Sequence, residues 1–218
     1  MPASRFGLQL AGARVLRTAA RAVRPDEYRE LTPLLDAMKR TAKHENAQGL
    51  CAPQLGESLR LFMLAADAQG GEPPLVAINP HILRRSRSRE IGWEACLSVP
   101  DYAALVSRPS RISVSYETLE GEHVREQILT GNRARVFQHE VDHLDGVLFT
   151  SRMIPMSMTH TSLLDNVRTR MQIESEAARL EEAAEDEDPL EAEELKRSWV
   201  GRVVRVAQPC HPDGIVVS

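Results

Sequence analysis

The sequence predicts an α+β domain in which antiparallel or mixed strands surround a central helix that carries a His-Glu-x-x-His motif. Two observations lead there. Short strand-like runs stand at 60–65 (RLFMLA), 75–79 (LVAIN) and 111–117 (RISVSYE), the last alternating Ile112, Val114 and Tyr116 as a half-buried strand does. The chemistry-bearing helix, "ARVFQHEVDHLDG" at 134–146, follows the strands instead of alternating with them, which argues against a doubly wound sheet. At 218 residues the chain suits one domain plus an appendage and can bury a core without disulfides.

The elements follow in order. Residues 1–25 carry five arginines and no acid, a loose likeness to a mitochondrial transit peptide. Pro33 to Glu45 reads as a helix: Thr32 can cap it, Pro33 suits its first position, and Leu34, Leu35, Met38 and Ala42 make an apolar stripe. Gly70-Gly71, Pro73-Pro74 and the basic run Arg84 to Arg89 read as loops and hairpin tips. That run could touch ribosomal RNA, but it lacks interleaved aromatics and a solvated hairpin is the simpler reading. A second helix should start near Gly131-Asn132 and stop at Gly146.

After about Ser175 the composition turns acidic. Residues 174–197 hold eleven Asp or Glu against three basic residues, so a net charge of −4 for the chain conceals −8 here and +4 elsewhere. An acidic helix or linker is expected, solvated and remote from the site, then a strand-like end, "WVGRVVRV" at 199–206. No repeat is visible. Three widely spaced cysteines, Cys51, Cys96 and Cys210, with no apolar leader, favour a reducing cytoplasm. No stretch nears the roughly 20 apolar residues of a membrane span.

On a helix, positions four apart lie on one face, so His139 and His143 can present imidazoles to one ion while Glu140 reaches toward a water beside it. Two helix histidines spaced by chance are the bland alternative. A third ligand is needed, and downstream His160 is poorly spaced for the extended metalloprotease motifs. Upstream, "WEACLSVP" at 93–100 offers Cys96 in a turn-like setting, although a Cys taken alone is more often a small buried hydrophobe. "QGLCAPQLG" at 48–56 is either a tight turn or a loop whose Gln54 amide N–H can stabilise an oxyanion.

"AQGLCAPQ" at 47–54, "EACLS" at 94–98 and "QHEVDH" at 138–143, in that order, resemble the three motifs of the peptide deformylase family. With "ARVLRTAARAV" at 13–23 the resemblance covers about residues 8–158, and 159–218 would be a C-terminal extension to a catalytic domain of 1–158. The resemblance implies Cys96, His139 and His143 as ligands of Fe²⁺, with Zn²⁺, Ni²⁺ or Co²⁺ as substitutes, and Glu140 as the group that moves the proton. It also implies Gln54 and the backbone N–H of Leu97 as oxyanion donors, and Gly49 as an aligner of the peptide. The substrates would be N-formylmethionyl nascent peptides, met near the ribosomal exit tunnel in the cytoplasm, with no DNA or membrane partner. A metalloprotease using the same His pair, and a degenerate deformylase that binds formyl peptides or the ribosome without efficient turnover, are the rivals.

Helical counting adds Asn132 and Val136 to the face of His139 and His143. Asn132 is then either a wall of the methionine pocket or the helix N-cap. Ala47, Cys51 and Ala95 stand where the family has Gly, Ala and Gly. If a positive φ were required at the glycine positions, Ala would cost about 1 kcal/mol.

Overall fold

The computed structural model describes residues 6–66, 73–164, 166, 170–175, 177–178 and 215–217. A helix α1 (Thr32–His44) precedes strands β1 (Gly49–Cys51), β2 (Leu61–Leu64), β3 (Leu75–Arg85), β4 (Arg89–Cys96), β5 (Val99–Pro109), β6 (Arg111–Glu117) and β7 (His123–Thr130). Helix α2 (Gly131–Leu144) follows, then the short strands β8 (Thr159–His160) and β9 (Ile215–Val217). One sheet has the order β1-β2-β3-β6-β7 and the other β8-β5-β4-β9. The pairings are antiparallel except β4 with β9, which is parallel.

The unbroken apolar run at β2 has a direct cause. Phe62 and Leu64 enter the cluster built on Val136, Phe137 and Leu144 of α2, while Leu61 and Met63 enter the cluster built on Leu34, Leu35 and Met38 of α1. A strand buried on both faces has no reason to alternate with polar residues. Phe62 and Phe137 meet edge to face with ring centroids 4.9 Å apart, a favoured aromatic geometry. This double layer fixes α2 as a nearly all-buried helix.

Several expectations are corrected. Thr32 does not cap α1 but is its first residue, because a 3₁₀ turn over Pro25–Leu31 leads straight into the helix. The basic run is not wholly a loop: Arg84 and Arg85 end β3 and Arg89 opens β4. Cys96 is the last residue of β4, paired with Val99 across a tight hairpin. Asn132 is not the N-cap of α2, since Thr130 holds that place and Gly131 already belongs to the helix.

Gly146 ends α2 as expected, with φ +76°, and a Cβ there would lie 2.8 Å from backbone atoms of Arg17 and Thr18. Leu16, Ala20 and Val23 are buried and the Ala20 N–H donates to the Leu144 carbonyl at 2.8 Å, so residues 16–23 of the arginine-rich segment are built into the fold. Gly70-Gly71, "WVGRVVRV", Cys210 and most of the acidic segment lie outside the described residues. Part of what is described beyond residue 158 packs on the sheet: Leu164 and Ala177 are buried against Ile91, Trp93 and Leu105, and the Trp93 indole N–H donates to Glu174 at 2.9 Å.

Candidate metal centre

Three elements deliver the site. The end of β4 supplies Cys96, the C-terminal half of α2 supplies His139 and His143, and the 3₁₀ turn Ala52–Leu55 after β1 supplies Gln54. One ligand atom from each of Cys96, His139 and His143 lies within 4.8 Å of the others, and all three residues are buried. Cys96 Sγ stands 3.2 Å from His143 Nε2, and the Gln54 amide points its Nε2 at the same sulfur, 3.6 Å away.

The electrostatics suit a cation. Burial pushes the Cys96 thiol up, but His143 and His139 beside it more than reverse this and hold it well below the usual thiol range. Burial pulls His139 down, yet Cys96 and Glu94 raise it to about 10. The pair therefore tends toward thiolate and imidazolium, and a bound cation would supply the positive charge in place of that proton. His139 Nε2, His143 Nδ1 and both carboxylate oxygens of Glu140 are buried and find no hydrogen-bond partner among the described residues. Buried polar atoms are rarely left so unless an ion or water completes them. One soft sulfur and two imidazoles are a donor set that Fe²⁺ and Zn²⁺ both accept.

Glu94 is the residue that reasoning from the sequence passed over. It is fully buried and accepts His139 Nδ1–H at 2.9 Å, two bonds from Arg108 at 2.9 and 2.8 Å, and one from Arg135 at 3.0 Å. Burial alone would raise its pKa, but Arg108 and His139 hold it well below the usual carboxylate range. Asp142, also on α2, joins Arg108 at 2.5 Å to Arg152 at 2.7 Å. A carboxylate on the far nitrogen fixes the ring's tautomer and orientation and leaves Nε2 for a metal. The available signal is a Glu set between Trp93 and Ala95 in the apolar half of β4.

The remaining predicted residues group around β1. Gly49 packs so tightly on α2 that a Cβ there would lie 2.3 Å from Glu140 Oε1 and 2.8 Å from Val136 Cγ1. Asn132 is exposed and donates to the Gln48 side chain at 2.7 Å. Leu97 is half-buried in the turn that follows Cys96. The Gln54 oxygen is held by the Cys51 N–H at 2.9 Å and the Cys51 thiol at 3.2 Å, so the amide's N–H groups face the site. None of Ala47, Cys51 and Ala95 takes a positive φ, and all three are buried in packed clusters, so backbone strain does not penalise them.

Gly49→Ala is accordingly expected to force Glu140 and Val136 aside. Overpacking of this kind costs about 1–3 kcal/mol, read as a lower midpoint in urea, and turnover should fall at least tenfold, or about 1.4 kcal/mol. A variant with wild-type stability and kcat would show that the close approach has no consequence.

An antiparallel sheet and a mixed one around a helix, with a buried Cys-His-His cluster and a glutamate unpartnered among the described residues, make a centre suited to a metal-dependent hydrolase. The comparisons name the family. The polypeptide deformylase family model matches residues 7–158. The peptide deformylase of Thermotoga petrophila is 38% identical over 167 residues, which are 75% of this chain and 98% of that protein. Among solved structures, the class I type b peptide deformylase of Acinetobacter baumannii superposes with a TM-score of 0.64 at 39% identity, covering 68% of this chain and 98% of the other. A Met-Ala-Ser-bound structure of that enzyme gives 0.63 at 37% identity, with 68% and 98% covered. The chain belongs to the polypeptide deformylase family and is a metal-dependent enzyme of that family.

Proposed function

We propose that Cys96, His139 and His143 hold Fe²⁺, with Zn²⁺, Ni²⁺ or Co²⁺ able to replace it, and that the site removes the formyl group from N-formylmethionyl nascent peptides. The observation that carries the residue assignment is the unpartnered, fully buried Glu140 beside three convergent donors. When bound, the ion supplies Lewis acidity and makes water a stronger acid. Burial pushes the Glu140 carboxyl up to about 7, with the neighbouring histidines opposing.

Glu140 takes a proton from the attacking water as its oxygen bonds to the formyl carbon. The same carboxyl returns that proton to the amine as the C–N bond breaks, leaving formic acid, which ionises to formate, and a free N-terminus. Gln54 Nε2–H and the Leu97 backbone N–H receive the negative charge that builds on the formyl oxygen. Gly49 lets the peptide backbone approach α2, and Val136 lines the methionine pocket with Asn132 at its rim. The relative's Met-Ala-Ser complex supports the peptide assignment. We further propose action near the ribosomal exit tunnel in the cytoplasm, and a catalytic unit of residues 1–158 with an extension over 159–218. No described helix is long and apolar enough to cross a membrane.

The experiment is turnover of formyl-Met-Ala-Ser by protein loaded anaerobically with Fe²⁺, run beside an unformylated peptide to detect proteolysis. In the same preparations, Cys96→Ala, His139→Ala and His143→Ala should each lose most of the metal by elemental analysis. Full metal content and activity in Cys96→Ala would sink the ligand assignment.

A further inference from the structure

β4 carries two of the groups that build the site, Glu94 and Cys96, and β5 pairs along one of its edges. The other edge is taken by β9, with Trp93 opposite Ile215, Glu94 opposite Val216 and Ala95 opposite Val217. β9 therefore stops one position short of the cysteine. It also comes within 8 Å of α2 between Cα atoms. β1 runs into the 3₁₀ turn that carries Gln54, as β4 ends at Cys96, the two side chains are 3.6 Å apart, and among the described residues β1 is paired on one side only.

The strands β1 and β4 thus converge on the site at their C-terminal ends. A peptide whose amino end is held at Gln54 and Cys96 and whose main chain pairs with these edges runs antiparallel to both strands. Extended peptides bind exposed sheet edges through main-chain hydrogen bonds, and the β4 edge next to the site is already in use. β9 runs parallel to β4, toward the metal centre, so it lies in the peptide's path in the opposite sense. Its sequence, Ile-Val-Val after Asp213-Gly214, is β-branched throughout and suited to a strand.

We propose that β9 is an autoinhibitory strand: residues 215–217 occupy in cis the sheet edge that an extended peptide uses, and substrate must displace them. This rests on the deformylation reading. It explains why a strand downstream of the acidic segment pairs with the ligand-bearing strand. If β9 is seated in about two-thirds of molecules, the apparent affinity for peptide falls about threefold, because only the open fraction binds.

The test uses the full chain with Ile215→Pro and Val216→Pro together. Adjacent strand N–H groups point to opposite sides, so one of the two prolines must remove a bond to β4. KM for formyl-Met-Ala-Ser should fall about threefold with kcat unchanged, and outer-edge amides within residues 93–96 should exchange hydrogen faster. A synthetic peptide of residues 211–218 added to the variant should restore the higher apparent KM. Unchanged exchange, or faster exchange with KM unchanged or raised, would overturn the proposal, the latter marking β9 as a brace for β4. Absence of turnover from wild type and variant alike would instead refute the deformylation reading. Competition between Met-Ala-Ser and the 211–218 peptide, measured by calorimetry, would then decide on the strand: mutual exclusion supports it and simultaneous binding overturns it.

Discussion

Glu140→Gln is expected to retain the metal and lose about 10²- to 10⁴-fold in kcat, the usual contribution of a positioned acid–base group. The glutamate is fully buried with neither oxygen hydrogen-bonded among the described residues, so it does little for the fold that an amide of the same shape would not do. Its carboxyl is nonetheless pushed up to about 7 by burial, where it can both accept and return a proton near neutrality. Glu140→Ala should show the same kinetic loss together with some loss of stability, because the side chain fills the space against Gly49. Elemental analysis and kcat on the same preparations read the result. Turnover within threefold of wild type in the Gln variant would remove Glu140 from the proton's path.

The second large effect belongs to Glu94. Its carboxylate is 0% exposed and neutralises Arg108 and Arg135, which are themselves buried. Removing one member of such a pair leaves a charge without a partner, and Glu94→Ala should cost about 3–5 kcal/mol in urea denaturation. His139 would also lose the acceptor that fixes its ring. Metal affinity should drop about 10- to 100-fold, measured by competition with a chromophoric chelator. A surface control such as Glu45→Ala should stay within about 0.5 kcal/mol. Were Glu94→Ala to lose stability with metal affinity unchanged, the carboxylate would be a structural counter-ion only.

These two glutamates differ in how visible they are along the chain. Glu140 sits between ligands four apart, and helical periodicity alone puts it beside them. Glu94 becomes important through Arg108, His139 and Arg135, which stand 14, 45 and 41 residues away. No local pattern encodes such a meeting. Asn132 shows the same limit on a smaller scale. Counting placed it on the face of His139, but whether it caps the helix depended on Thr130 and on Gln48 arriving from β1's side.

The sequence by itself determined the strands at 61–64 and 111–117, the stripe of α1, the helix bounded by Gly146 and the shared face of His139 and His143 on it. Each is a short-range signal, set by side-chain period, backbone φ or the chemistry of one residue. Tertiary structure alone decided the ion network behind His139, the absence of a positive φ at Ala47, Cys51 and Ala95, and the pairing of residues 215–217 with β4. Those depend on which buried charges and which open sheet edge meet when distant segments pack, and the free energy of such meetings belongs to pairs of residues, not to either one's neighbours along the chain.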